Sequence, residues 1–280
     1  MDTVIGLGSA GCNLVDIFKE KYSSYYDTYK IDSEIEDGLS IGYFDSPESY
    51  EANTPDVKKF LDGAESDVLF IVGGGGQISA TSLRILSQIR EKNLNVLYIC
   101  PEVDQISQIG LLQHRLAFNV FQEYALSGNF QKLLLFDNKK LSEIIGEVPI
   151  MEFNNKINNL IVDSVHYYNI FNNVKPVIST LGKVKNNSRI CSFGIYDMVS
   201  GAESNFFDMQ AIDEKRYHFF INETALKTDG KLFKTIKEII AKQDIRSSYQ
   251  VLTTQHQQNF CYVENYTNIN QALDTSSSLS

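Results

Sequence analysis

Asp67-Val68-Leu69-Phe70-Ile71-Val72 runs without a polar break after its first residue into Gly73-Gly74-Gly75-Gly76. An apolar run of that length, stopped by glycine, reads as a strand buried on both faces, and such strands belong to parallel sheets. Four consecutive glycines are entropically costly, because glycine loses more freedom on folding than any other residue. A plain turn needs one or two, so the cluster points to a backbone that must approach a ligand. Towards the amino terminus, Thr3–Leu7 is a second strand candidate, and a helix is expected from Asn13 to Tyr22. Between them, Gly6-Leu7-Gly8-Ser9-Ala10-Gly11-Cys12-Asn13 follows the pattern GxGxxG. Glycines in that setting let the chain approach phosphates, while helix N–H groups and the dipole favour negative charge. The same pattern also fits a tight strand–helix turn with no ligand.

The alternation continues outward. Thr28–Ile31, Asn95–Cys100 (stopped by Pro101) and Lys132–Phe136 read as strands. Leu83 to Arg90, Leu111–Leu126 and Lys140–Ile145 read as helices, and Ser46–Leu61 carries helix-like stretches. Ile157, Leu160, Ile161, Ser164, Val165 and Tyr168 recur at helical spacing. Repeated strand–helix units predict an α/β fold: a parallel-sheet nucleotide-binding domain with helices on both faces and a long central helix. Ligands of such sheets bind at the carboxyl ends of the strands, where both glycine clusters fall. After Ser179 the pattern changes, with strands expected at Arg189–Tyr196, Tyr217–Ile221, Tyr249–Thr253 and Phe260–Val263 and a helix over Leu226–Lys242. The expected division is a nucleotide-binding domain over 1–152, the central helix and its loop over 153–180, a smaller α+β domain over 181–267 and a mobile Ser/Thr/Asn-rich tail over 268–280.

Composition narrows the function. At 280 residues with 43% hydrophobic and 21% charged residues, the chain reads as an ordinary globular protein. A net charge of −10 leaves no excess of Lys or Arg to neutralise phosphate backbones, so no direct nucleic-acid binding is expected. Cys12, Cys100, Cys191 and Cys261 lack CxxC spacing and read as free thiols of a reducing compartment, and the scattered histidines form no metal motif. No signal peptide or membrane span is evident, and the expected location is cytoplasmic.

Taken together, the motifs resemble those of the tubulin/FtsZ superfamily. IGLGSAGCN is similar to its first nucleotide loop, and FIVGGGGQISA resembles the glycine-rich loop that grips the phosphates. LLQHRLAF places Arg115 where a helix arginine lies near the nucleotide, and FDNKKL places Asn138 where an asparagine helps recognise guanine. FNNKINNLIVDSV is similar to the start of the central helix, where Phe153 would stack on the base and Asn155 or Asn158 would reach it. The resemblance spans roughly residues 1–200 in order. It implies GTP or GDP at Gly6, Gly8, Ser9, Ala10, Gly11, Cys12, Asn13, Asp32, Gly73, Gly74, Gly75, Gly76, Gln77, Arg115, Asn138, Phe153, Asn155 and Asn158, with Mg²⁺ as a companion ion. Asp32 reads either as a contact to ribose or metal or as a solvated loop acid. The resemblance further implies head-to-tail self-association into filaments. The short second domain is similar to that of divergent phage- and plasmid-encoded members.

The departures bear on chemistry. The second loop runs Gly76-Gln77-Ile78-Ser79 where the family has threonine and alternating glycines. After the central helix, Asn173-Val174-Lys175-Pro176-Val177-Ile178 puts Lys175 and Ile178 where the family carries catalytic acids. Neither can orient or deprotonate water, so weak or absent hydrolysis is expected and no catalytic residue is assigned. Two other readings stand beside this one. One is a structural or interaction protein of the same fold that has lost its nucleotide. The other is a Rossmann-type dinucleotide enzyme with Asp32 as its ribose acid, against which the second glycine loop, FDNKKL and the long helix count. His166 reads as a packing or solvent-facing histidine, the lysines of 231–242 as a solvated face, and Phe206-Phe207 and Phe219-Phe220 as core or subunit-contact residues.

Overall fold

The computed structural model describes residues 1–273. Strands β1 (Thr3–Leu7), β2 (Asp27–Asp32), β3 (Leu39–Ser40), β4 (Asp67–Gly73), β5 (Asn93–Cys100) and β6 (Lys132–Asp137) alternate with helices α1 (Gly8–Tyr22), α2 (Pro47–Ala52), α3 (Ser82–Gln88), α4 (Gln108–Leu126) and α5 (Asn138–Ile145). The long helix α6 (Ile150–Asn173) leads to β7 (Ile178–Ser179), β8 (Ile190–Tyr196), β9 (Glu203–Asn205), β10 (Glu214–Asn222), α7 (Glu223–Thr228), α8 (Leu232–Ala241), β11 (Arg246–Thr254) and β12 (Phe260–Thr267). One sheet runs in the order β3-β2-β1-β4-β5-β6-β8-β12-β10-β11-β7, with β9 beside β8. From β3 to β6 every pairing is parallel, whereas β8–β12–β10 pair antiparallel.

The run Val68–Val72 shows why it carries no polar residue. Leu69 and Ile71 enter the core beneath α1 and α6, while Val68, Phe70 and Val72 enter the core beneath α3 and α4. Both faces of the strand are thus covered. The seam between the parallel and antiparallel parts is thin, since β6 and β8 share only the pairs Leu133–Ile190 and Leu134–Cys191. Helix α6 covers that seam: its Ile161 and Val165 share a core with Leu69 of β4 and with Phe193, Phe220, Leu252 and Tyr266 of the second part. A third core lies under α8, built from Tyr217, Phe219, Ile236 and Val263 among others.

Differences from the sequence reading are local. The first helix starts at Gly8 rather than Asn13, and the central helix at Ile150. Within Ser46–Leu61 the α-helix is limited to Pro47–Ala52, opened by a Ser46 cap with proline in the first turn. The helix expected over Leu226–Lys242 is broken at Asp229-Gly230-Lys231, where the Asp229 carboxylate accepts from the Lys231 amide. From Asn268 the chain folds back along α4, and Gln271 exchanges hydrogen bonds of 2.6 and 3.1 Å with the Gln122 side chain. The rest of the expected tail, 274–280, lies outside the described residues. Among the described residues all four cysteines are free and buried, and no helix is long and apolar enough to cross a membrane.

Candidate functional site

The parallel strands end along one edge, at Leu7, Asp32, Gly73, Cys100 and Asp137. The register, Leu7 beside Ile31 and Val72, Gly73 beside Ile99, and Cys100 beside Asp137, lines these ends up. Helix α1 rises directly from β1 and is packed so closely that its glycines have no substitute. A Cβ on Gly6 would stand 2.4 Å from the Gly11 carbonyl oxygen, and one on Gly11 would stand 2.7 Å from that of Ile71. Gly8 has φ of +69°, a backbone state that disfavours any side chain. The first turn of α1 holds no acidic residue and has no side-chain cap, while Ser9, Ala10 and Asn13 are exposed. Uncapped N–H donors at the positive end of a helix dipole favour an anion.

The second glycine loop meets the first. A Cβ on Gly73 would lie 3.1 Å from that of Ala10, and one on Gly8 would lie 2.8 Å from Cγ2 of Ile78. Across the edge, Ser9 Oγ donates to Asp32 Oδ2 at 3.4 Å, and Asp32 Oδ1 accepts from the Ser33 amide at 2.7 Å. The structure therefore brings Gly8, Ser9, Ala10, Asp32, Gly73 and Ile78 together along one edge. Cys12 turns inward, its Sγ facing the carbonyls of Gly6 and Ile31, and burial, reinforced by Asp32, pushes its thiol up to about 12.

The glycine run is shaped by space more than by backbone conformation, since none of Gly73–Gly76 has a positive φ. A Cβ on Gly74 would strike Tyr98 Oη at 2.2 Å and His114 Nδ1 at 2.5 Å, and one on Gly75 would reach Ile106 at 3.0 Å. Gly76 alone is exposed and uncrowded, its nearest neighbour 3.7 Å away. Gln77 opens a 3-10 turn, Gln77–Thr81, whose two hydroxyl-bearing residues lie in the interior. Ser79 and Thr81 are buried; Ser79 Oγ accepts from Gln113 and Thr81 Oγ1 donates to the Ile78 carbonyl.

The remaining expected residues come from other elements. Arg115 is half-buried on α4 and adjoins His114, whose pKa is lowered by burial and then by Arg115. Asn138 is the first residue of α5, which the Asp137 carboxylate caps by accepting from the Lys139 amide at 2.9 Å. Burial raises the Asp137 carboxyl against the lowering of those amide bonds. Phe153 lies in the first turn of α6 and packs in part against the core, and Asn158 is half-buried. Asn155 is exposed, accepts from Asn159 and lines a cleft of about 620 Å³ between α5 and α6 with Ile144, Ile145 and Lys156. His166 is a packing histidine, stacked on Tyr22 at 3.7 Å and hydrogen-bonded to Tyr26. Sequence reasoning missed Ile78, Tyr98 and His114, all three in contact with the loops. The one signal for them was a tyrosine in the otherwise apolar strand segment Val96–Cys100.

Lys175, Val177 and Ile178 are exposed at the far end of α6, and Ile178 begins an edge strand paired with Val251. At about 1.5 Å per residue, the length of α6 separates that loop from the α5–α6 turn by roughly 36 Å. No three His, Cys, Asp or Glu side chains converge to hold a metal among the described residues.

No family model and no curated protein matches the sequence. Solved structures do match the fold. The empty FtsZ dimer of M. jannaschii superposes with a TM-score of 0.69 at 14% identity, covering 95% of this chain and 87% of that one. CetZ2 from Haloferax volcanii, a GTPgS-bound protofilament, gives 0.69 at 15% identity over 95% and 92%. TubZ of Bacillus thuringiensis serovar israelensis, in GDP-form protofilaments, gives 0.66 at 15% identity over 94% and 86%. The chain has a tubulin/FtsZ-like fold.

Proposed function

We propose that the protein binds a guanine nucleotide, GTP or GDP, at the carboxyl edge of β1, β4 and β6, and self-associates head to tail. The observation that carries this reading is the contact of the two glycine loops beside the uncapped start of α1. The N–H donors of Ser9 and Ala10 and the backbone of Gly75 and Gly76 would take the phosphates. Asn138, Phe153 and Asn155 or Asn158 would take the base, and Asp32 the ribose. A Mg²⁺ ion accompanying the nucleotide would draw most of its oxygens from the phosphates and water, because among the described residues no cluster of acids converges at the edge. Hydrolysis is slow or absent, since no carboxylate stands in 173–178 to act on water.

Head-to-tail contacts generate open filaments when the rotation does not close, and the protofilament arrangement of the CetZ2 and TubZ neighbours supports extending that behaviour to this chain. Titration with labelled GTP, with ATP as competitor, tests the binding: saturation that GTP reverses better than ATP is expected, and no saturable binding at millimolar nucleotide would sink it. Electron microscopy with and without GTP tests assembly, and an absence of polymers in both conditions counts against it. Ser79 and Thr81 are buried and their hydroxyls are hydrogen-bonded within the protein, which favours a second reading, a structural protein of this fold without nucleotide. The same titration separates the two.

A further inference from the structure

Gly74 rests on a polar surface inside an otherwise apolar core. Tyr98 and His114 are 0% and 1% exposed, their rings lie parallel within 10°, and Tyr98 Oη is 2.7 Å from His114 Nδ1. The core around them is Val96, Phe118 and Phe121. Two phenylalanines would fill such a space without burying a hydroxyl and an imidazole, groups that cost about 1–3 kcal/mol each when left unpaired. Here the hydroxyl and Nδ1 pair with each other, and a directional bond fixes both rings where dispersion alone would not.

The same helix touches the loop at two further points. The site of a Cβ on Gly110 is 2.9 Å from the Gly75 carbonyl oxygen, and Gln113 Nε2 donates to Ser79 Oγ at 3.3 Å. Ser107 caps α4 by accepting from the Gly110 amide at 3.0 Å, which sets the start of the helix against the loop. Successive residues of the first turns of α4 therefore hold Gly75, Ser79 and Gly74. The Gly74 amide itself donates to the Ile99 carbonyl at 2.9 Å, one residue after Tyr98.

We infer that Tyr98 and His114 are positioning residues, a hydrogen-bonded platform that holds the loop Gly73–Gly76 in the shape that receives phosphates. The inference rests on the nucleotide-binding reading above and adds to it the residues that shape the phosphate side of the site. Tyr98 Oη lies 2.7 Å from His114 Nδ1 and also donates to the His114 carbonyl at 3.2 Å, so the hydroxyl is tied to both the ring and the backbone of α4. Burial, with Arg115 beside it, lowers the His114 pKa to about 4 and so keeps the ring neutral at pH 7.

The test uses the full chain and the variants Tyr98→Phe and His114→Phe, with Phe130→Leu as a control. Phe130 is buried in the same core but precedes β6, at the opposite end of the strands. Two readouts are taken: amide exchange of Gly73–Gln77 without nucleotide, and the Kd values for GTP and for guanosine. Tyr98→Phe, which removes one oxygen, is expected to speed exchange across Gly73–Gln77 and to raise the Kd for GTP by about tenfold, the weight of one lost hydrogen bond. The guanosine Kd stays unchanged, because the base side is untouched. Phe130→Leu lowers the melting temperature and leaves the GTP-to-guanosine ratio intact. If His114→Phe does not fold, Tyr98→Phe decides alone. Loop exchange and ratio both at wild-type values in Tyr98→Phe, or an equal change of ratio in Phe130→Leu, would overturn the inference. A wild-type chain that binds neither ligand would remove the nucleotide reading, and unchanged loop exchange in Tyr98→Phe would then separately remove the platform.

Discussion

Replacing Glu264 by Gln is expected to destabilise the protein by about 3 kcal/mol at pH 7, a cost set by the seam between the two parts of the sheet. Glu264 is 3% exposed on β12. Its Oε2 accepts from Tyr266 Oη at 2.5 Å, and Tyr266 Oη accepts from Lys132 Nζ of β6 at 2.7 Å. Lys132 also donates to Tyr168 of α6. His218 Nε2 of β10 lies 2.9 Å from Glu264 Oε1, an electrostatic contact with poor hydrogen-bond alignment. Through Tyr266 and Lys132, the network centred on this carboxylate links β12 and β10 to β6 and α6, beside the seam where backbone pairing is thin. Burial pushes the carboxyl up, but His218, Lys132 and Tyr266 outweigh it and hold the pKa at about 2, against an ordinary 4.5. At about 1.4 kcal/mol per pKa unit the difference is worth roughly 3 kcal/mol, near the low end of the cost of breaking a buried pair. Because the folded pKa is depressed, this stability is present above pH 4.5 and is lost as pH falls through about 2. Urea unfolding followed by circular dichroism at pH 7 and at steps down to pH 2 measures it. The gap between wild type and Glu264→Gln should shrink through that window. A gap below about 1 kcal/mol at pH 7, or one that persists unchanged at pH 2, would refute the reasoning.

Three further outcomes are expected. Gly74→Ala forces a methyl to 2.2 Å from Tyr98 Oη and should cost about 1–3 kcal/mol with loss of GTP binding. Gly76→Ala, with nothing nearer than 3.7 Å, should leave the melting temperature almost unchanged, and thermal denaturation of the pair checks the contrast. His114, held near 4 instead of 6.5, makes folding resist protonation; the stability it supports is complete above pH 6.5 and drains away as pH falls through about 4. His114→Gln should flatten that limb of a stability-versus-pH curve, and an unaltered slope would count against it. Phosphate release from GTP should be slow and independent of protein concentration, and turnover that climbs steeply with concentration would show that another residue replaces the missing acids.

The elements that local pattern determines were legible. Thr3–Leu7 and the segment Asp67–Val72 form the strands expected of them, because burial on both faces leaves an uninterrupted apolar run. The helix over 226–242 failed at Gly230, where a helical spacing of apolar residues hid a break that one aspartate–amide bond stabilises. Strands β3, β7 and β9, of 2, 2 and 3 residues, carry too few side chains for any alternation to register. The candidate site divides in the same way. Its glycines were visible, but entropy alone does not account for them, since Gly74 is required by Tyr98 and His114 and Gly11 by Ile71.

By itself, then, the sequence determined the alternation of buried strands and amphipathic helices, and with it a parallel sheet whose glycine-rich turns share one edge. These depend on interactions between neighbours in the chain, which composition and period record directly. Only the tertiary structure decided why each glycine is there, which histidine lies under the second loop, and how Lys132 of β6 reaches Tyr168 and Tyr266 across the seam. Those facts depend on atoms brought within a few ångströms from residues far apart in sequence. Excluded volume and buried hydrogen bonding act on that distance alone.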